Sequence, residues 1–328
     1  MKKFTAIVLC LLCCLSLAAC GSRSGGETVN IYSANYEDEI AIELEYLKEK
    51  FPDYEITITY LSSGKLAAKL MAEGADTEVD IAMSLSSGYA SQLKEAGLLR
   101  AFDSELTYKK DFADPDGRIH PNGVWAGAIV INTDVLSKKG LAAPTSYAEL
   151  IDPAYRDMIV MADPSSSSTG YFFLHGLLNL YGEEEGWKYF DALRENIMLF
   201  TESGSTPVSM VERGEAAIAL GIDYQAMELL DATSPVEVVF AAEGAPYDYD
   251  TALLIERKKA PSQAVLDVMA AITSAEGNAV FNNYNLSVVE GEDTAEGYPE
   301  GFYLMDMTGI SDPDRKAEVL QQWSARYE

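Results

Sequence analysis

Ile159-Val160-Met161-Ala162-Asp163-Pro164-Ser165-Ser166-Ser167-Ser168-Thr169-Gly170-Tyr171-Phe172-Phe173-Leu174 stands at the middle of the chain, and its reading decides the fold. The first four residues are a short apolar run, half of it β-branched, of the kind that forms a buried strand. From Tyr171 onward to Tyr181 the apolar run is long enough for a helix. A strand that stops in hydroxyl side chains and glycine, then turns into a helix, leaves unpaired N–H groups at the helix start. Those N–H groups, the hydroxyls of Ser165, Ser166, Ser167, Ser168 and Thr169, and the positive end of the helix dipole make a place for an anionic or polar group. Serine and threonine are also favoured at helix starts for capping alone. One loop of this kind does not separate a site from a cap.

The pattern recurs. Glu55-Ile56-Thr57-Ile58-Thr59-Tyr60-Leu61 alternates as a strand and runs into Ser62-Ser63-Gly64 and a helix carrying Leu66, Leu70 and Met71. Asp80 to Ser84 is a short buried strand followed by Ser86-Ser87-Gly88 and a helix through Leu93. Val29 to Ser33 is a strand, and Ile40, Leu44, Leu47 and Phe51 then recur at helical spacing. Downstream, Ser203-Gly204-Ser205-Thr206-Pro207 opens a helix, and Ala216 to Gly221 is a strand leading to Asp223-Tyr224. Strands alternating with helices imply βαβ units and a mainly parallel sheet. Right-handed crossovers would set the serine turns at the carboxyl ends of the strands, where open α/β sheets bind ligands. Ser165 to Thr169 with Ser62 and Ser63 are the first candidates, then Ser33, Ser84, Ser205 and Thr206. Trp125 and Tyr224 are candidates for the walls of such a site, and Asp223 is a further ligand-binding candidate.

The chain has 328 residues, enough for two domains with real cores. Residues 1–19 read as a signal peptide, with Lys2 and Lys3 before an apolar run from Phe4 to Leu17 that is too short for a secure membrane span. Leu17-Ala18-Ala19-Cys20-Gly21 resembles a bacterial lipobox, which would make Cys20 the lipidated, palmitate-bearing first residue, with residues 20–26 as a tether. All four cysteines lie in this segment, so no thiol pair remains for a disulfide or a thiolate metal site. Lys and Arg number 24 against 52 Asp and Glu, a net charge of −28, which argues against nucleic acid and anionic headgroups as partners. Val124 to Asn132 is a long apolar strand that reads as a crossing between domains, with the return near 236–255. This gives a discontinuous first lobe, 27–125 with 245–328, and a second lobe, 126–244. Val265 to Phe281 is expected as one long helix packed on the first lobe, and Asp312-Pro313 opens a last helix ending near Tyr327.

Five stretches together resemble the lipoprotein solute-binding component of bacterial ABC importers. They are the lipobox, Ser62 to Leu66 running to Glu95-Ala96-Gly97-Leu98-Leu99, Trp125 to Asn132, Asp152 to Arg156 with Asp163 to Leu174, and Glu212 to Tyr224. The resemblance is to the branch that includes periplasmic ferric-iron-binding proteins and binders of phosphorylated or phosphonate compounds. It implies a type II periplasmic-binding-protein fold, with two doubly wound α/β lobes joined by two crossing strands and closing on a small ligand. It also implies no cofactor, a monomer held to the extracytoplasmic face of the cell membrane by lipid alone, and ABC permease subunits as partners. The expected ligand is a small phosphorylated, phosphonate or carboxylate compound.

Ferric iron is the alternative. The resemblance implies two consecutive tyrosines for it, and the matching position is Tyr224-Gln225, so Tyr224 and Asp223 would have to serve. His120 and His175 are the only histidines, and His175 falls on an apolar helix face. Tyr247-Asp248-Tyr249-Asp250 is a reserve of oxygen donors, all but one of them read as a solvated hairpin. An enzyme is the reading of another class. The chain has no HExxH, no GxSxG and no phosphate loop, since Leu66 follows Gly64-Lys65 where Ser or Thr is needed. A carboxylate-dependent extracellular hydrolase is left as the enzymatic alternative, with no spacing that singles out a pair.

Overall fold

The structure is a computed structural model that describes residues 26–35, 37–230, 233–282, 286–292 and 297–328. The signal peptide, Cys20 and most of the tether lie outside the described residues. Twenty elements carry the fold. The first group is β1 (Thr28–Ser33), α1 (Glu37–Lys50), β2 (Glu55–Tyr60), α2 (Ser63–Glu73), β3 (Ile81–Ser86) and α3 (Ser87–Glu95). Next come β4 (His120–Asn132), α4 (Thr133–Lys139), β5 (Ile159–Ala162), α5 (Ser168–Tyr181), α6 (Glu183–Arg194), β6 (Ile197–Thr201), α7 (Thr206–Glu212), β7 (Ile218–Ile222) and α8 (Asp223–Met227). The chain ends with β8 (Val236–Val239), β9 (Tyr247–Leu254), α9 (Gln263–Ile272), α10 (Ala275–Phe281) and α11 (Pro313–Tyr327).

The strands form one nine-stranded path, β2-β1-β3-β9-β4-β7-β5-β6, with β8 on β4. In the first half β1 pairs in parallel with β2 and β3, and in the second β5 pairs in parallel with β6 and β7. The two central strands run against them: β9 is antiparallel to β3, and β4 is antiparallel to β7, β8 and β9. The sheet is therefore parallel at its flanks and antiparallel at its centre, because a strand crossing from one half enters the other inverted. β4 is the crossing strand. Its residues His120 to Ala126 pair with β9, and Gly127 to Ile131 pair with β7. All thirteen of its residues are buried, as expected for a strand covered on both faces. The fold is the two-lobed α/β fold of type II periplasmic binding proteins.

Two expectations are corrected. The helix expected over 265–281 is two helices, α9 and α10, bent by 71°. Ser274 breaks it, because its hydroxyl accepts from the Gly277 N–H and so starts a new helix. Both pieces still pack on β1 and β3 through Val265, Val268, Met269 and Phe281. The second correction concerns α11, which the sequence reading placed with the first lobe. Its Trp323 lies edge-on to Phe190 and Phe200, and Val319 joins the same core of the second half. An amphipathic stripe fixes that a helix packs, not on what. Among the described residues no single helix is long and apolar enough to cross a membrane.

Candidate functional site

Three helices open on one cleft of ≈ 570 Å³ between the two halves. They are α2 at Ser62-Ser63-Gly64, α3 at Ser86, and α5 at Ser165 to Thr169. Each follows a strand of the parallel flank, or stands one turn from it, so strand geometry aims all three starts at the same edge. Gly170 is required there: a Cβ on it would lie 2.4 Å from the Ala162 carbonyl oxygen, so only glycine lets α5 start against the end of β5. Gly204 is required opposite, since a Cβ would lie 2.1 Å from Thr169 Oγ1.

Of the residues expected from sequence, Ser62, Ser63, Ser84, Trp125, Ser165 to Thr169 and Tyr224 line this cleft. They are not equivalent. The Ser165 hydroxyl donates to Glu328 Oε1 at 2.8 Å, and Ser166 donates to the Glu202 carbonyl at 3.1 Å. By contrast, the hydroxyls of Ser62, Ser63, Ser84, Ser167, Ser168 and Thr169 have no hydrogen-bond partner among the described residues. The N–H groups of Ser63, Gly64, Lys65, Ser168, Thr169 and Gly170 also have no carbonyl partner among the described residues.

Ser33, Ser205, Thr206 and Asp223 do not line the cleft. Ser33 is fully buried, and its Oγ accepts from the Asn35 N–H at 3.1 Å. Ser205 shares a hydrogen bond with Ser203 at 3.0 Å, and it is Ser203 and Gly204 that reach the cleft. Asp223 is a structural tie: Oδ1 accepts from the Ala126 N–H at 2.9 Å and Oδ2 from the Tyr298 hydroxyl at 2.5 Å. Burial pushes its pKa up to about 6. A carboxylate so committed is a poor metal ligand.

Sequence reasoning held Asp250 only within a reserve stretch of oxygen donors and did not single out Glu202. Asp250 reaches the cleft and accepts from the Trp125 indole N–H at 3.3 Å. Asn35 lines the cleft beside it and donates to Glu43 at 2.9 Å. Glu43 is buried behind Asn35, and burial pushes its pKa up to about 7, against the Asn35 hydrogen bond that lowers it. Lys65 is the only lining cation among the described residues, and Glu202 and Asp250 are the lining carboxylates. Tyr60 and Tyr89 add two more phenols to Tyr224. Ser86 was visible as the cap of the third strand–serine–helix unit, and Asp250 only as a member of the reserve stretch Tyr247 to Asp250.

The other tyrosines of the reserve stretch are core. Tyr247 and Tyr249 pack edge-on to Phe112, and Asp248 accepts from the Ser87 and Tyr249 N–H groups, so this stretch is not a solvated hairpin. His120 is buried, and burial lowers its pKa to about 4. His175 sits at 3.0 Å from the Thr308 carbonyl, a packing role. Among the described residues no three His, Cys, Asp or Glu side chains gather to hold a metal ion.

A strained residue marks the cleft floor. Ser84 has φ 56, at a register shift in β3 between Met83 and Leu85. Left-handed backbone at a serine persists only when the surroundings impose it. The bulge turns the strand where it meets the cleft.

Fold and cleft together define a two-lobed solute-binding protein. Residues 76–304 match the family model described as bacterial extracellular solute-binding protein, and the chain belongs to that family. An uncharacterised protein of Haemophilus influenzae is 26% identical over 311 residues, which cover 92% of this chain and 89% of that protein. The periplasmic binding protein AfuA of Actinobacillus pleuropneumoniae, solved with exogenous fructose-6-phosphate bound, superposes with a TM-score of 0.79 at 24% identity. That match covers 92% of this chain and 98% of AfuA. Iron-bound HitA of Pseudomonas aeruginosa gives a TM-score of 0.76 at 18% identity, covering 90% of this chain and 99% of HitA.

Proposed function

We propose that the protein is the solute-binding component of an ABC importer that captures a small phosphorylated or phosphonate compound without chemical turnover. The anionic head would sit on the N–H groups of Ser168, Thr169 and Gly170, with the free hydroxyls of Ser167 and Thr169 from one side and Ser62 and Ser63 from the other. One observation carries this reading. The serines that cap the cleft helices, Ser62, Ser86 and Ser167, make no side-chain cap bond. Away from the cleft the cap bond is made by Asn132, Ser262, Ser274 and Asp312, and Ser205, which makes none, shares its hydroxyl with Ser203 instead. Serines kept at helix starts for stability would close their caps; these hold donors open. The likeness to AfuA, a protein solved with a sugar phosphate, agrees with it.

Cys20 is the proposed lipid anchor, which would hold a monomer at the extracytoplasmic face. Lobe 1 would comprise 27–125 and the strand β9 with α9 and α10, and lobe 2 would comprise 126–244 with α11 docked on it. Closure of the lobes on ligand is what a permease would recognise.

The test is calorimetry with inorganic phosphate, fructose 6-phosphate, 2-aminoethylphosphonate and citrate, with mass spectrometry of the untreated and recovered ligand. Saturable 1:1 binding of a phosphorylated probe, recovered unchanged, is expected; a modified product, or binding of none of the phosphorus compounds, refutes the proposal. A second reading, ferric iron, is favoured by the three phenols of Tyr60, Tyr89 and Tyr224 beside Asp250. Ferric citrate is therefore a further arm, and a phenolate-to-iron absorption band that Tyr224→Phe abolishes would replace the first reading with the second.

A further inference from the structure

The anion site faces a chemical difficulty: its lining holds one lysine and two carboxylates in a protein with a net charge of −28. A second cation lies just behind the wall. Lys316, near the start of α11, sets its ammonium 4.4 Å from the Tyr89 ring centre and 4.9 Å from that of Tyr171. Tyr89 belongs to α3 and lines the cleft, and its hydroxyl abuts Gly64, 3.2 Å from where a Cβ would stand. Tyr171 belongs to the first turn of α5, and its N–H donates to the Ser167 carbonyl at 3.0 Å. The ammonium thus touches the rings that back both halves of the anion site.

What Lys316 lacks is equally informative. Among the described residues no carboxylate lies within ion-pair distance of it, while the adjacent Arg315 pairs with both Glu183 and Glu318. Asp248 is the acid whose charge reaches Lys316, and it spends its Oδ1 on the N–H groups of Ser87 and Tyr249. Desolvation weakens the hold of Lys316 on its proton, and Asp248 opposes that. A lysine held among rings without a paired acid costs stability and keeps its field for something else.

We propose that Lys316 is a positioning residue for ligand capture, supplying positive potential to the anion site through the wall formed by Tyr89 and Tyr171. The inference rests on the phosphorylated-ligand reading. A unit charge a few ångströms behind a low-dielectric wall changes the affinity for an anion by about tenfold or more. Because α11 is anchored on the second half by Trp323 while Tyr89 belongs to the first, the same contact ties ligand charge to the approach of the two walls.

The experiment compares wild type, Lys316→Met and Lys316→Arg in calorimetry with inorganic phosphate, fructose 6-phosphate and 2-aminoethylphosphonate at low and high salt, beside urea melts. For the tightest of these probes, Lys316→Met should weaken binding about tenfold or more and flatten its salt dependence, with no fall in the melting midpoint; Lys316→Arg should stay close to wild type. A wild type that binds none of the probes overturns this inference together with the reading beneath it. A wild type that binds, with Lys316→Met binding equally well or with the same salt slope, overturns this inference alone. So does an Arg variant as weak as the Met variant, because that is the mark of packing and not of charge.

Discussion

Removing the two free hydroxyls of the central loop separates a binding site from a helix cap. The variant is Ser167→Ala with Thr169→Val, which keeps the shape of Thr169 in a position only 3% exposed. Neither hydroxyl has a partner among the described residues, and the Ser167 cap bond is not made. The folded, ligand-free state therefore loses nothing, and stability should hold to within about 0.5 kcal/mol. Each hydroxyl that donates to a charged oxygen is worth roughly 1.5–3 kcal/mol, so the pair should cost at least about 3 kcal/mol, or about 100-fold in Kd. Calorimetry with the tightest phosphorylated probe reads the affinity, and urea unfolding without ligand reads the stability. If these serines serve as caps, the result inverts: a loss of about 1 kcal/mol of stability and unchanged affinity. That inverted result would refute the argument from open caps.

Three more expectations follow from other parts of the molecule. Ser84→Gly should raise stability by about 1 kcal/mol, because glycine is at ease at φ 56, while it weakens ligand binding by removing a hydroxyl from the cleft; a variant less stable than wild type would show that the strain reading is wrong. Glu43 holds its proton up to about pH 7 when folded and sheds it near 4.5 when unfolded, so the folded state is favoured below pH 4.5 and that contribution is lost as pH rises to 7. The span is worth about 3 kcal/mol at most, and Glu43→Gln should flatten the fall in the urea midpoint between pH 5 and 7.5; an unchanged slope would assign the effect to Asp223 and Asp248, whose pKa values are also raised, to about 6. Cys20→Ser should move the expressed protein from the detergent phase to the aqueous phase, and a mutant that partitions as wild type does would rule out the lipobox.

The strand–serine–helix units were legible because each is local. A change of period from two to 3.6 marks the joint, and serine is what a helix start favours, so Ser62, Ser86 and Ser167 could be found without a structure. Ser33 misled for a local reason too: it ends a strand as the others do, but its side chain alternates to the buried face. The rest of the site depends on contacts far apart in sequence. Asp223 was read from its neighbour Tyr224, whereas its role is set by the Ala126 N–H, 97 residues away. Asp250 is one acid among 52, and only the pairing of β9 with β3 and β4 delivers it to the cleft. The docking of α11 on the second half was hidden for the same reason, because its apolar stripe fits any apolar partner.

The continuity of β4 limits how such a protein can change. Its first seven residues complete one half of the sheet and the remainder completes the other, with the switch at Ala126-Gly127, where a Cβ on Gly127 would meet the rings of Phe172 and Phe173 at 2.7–2.8 Å. Neither half is a module that recombination could exchange intact, since a graft on either side of Gly127 would inherit a strand cut for another neighbour. New ligand preferences in this architecture must arise by substitution in the serine turns and on the cleft floor, one side chain at a time, over a scaffold that both halves hold in common.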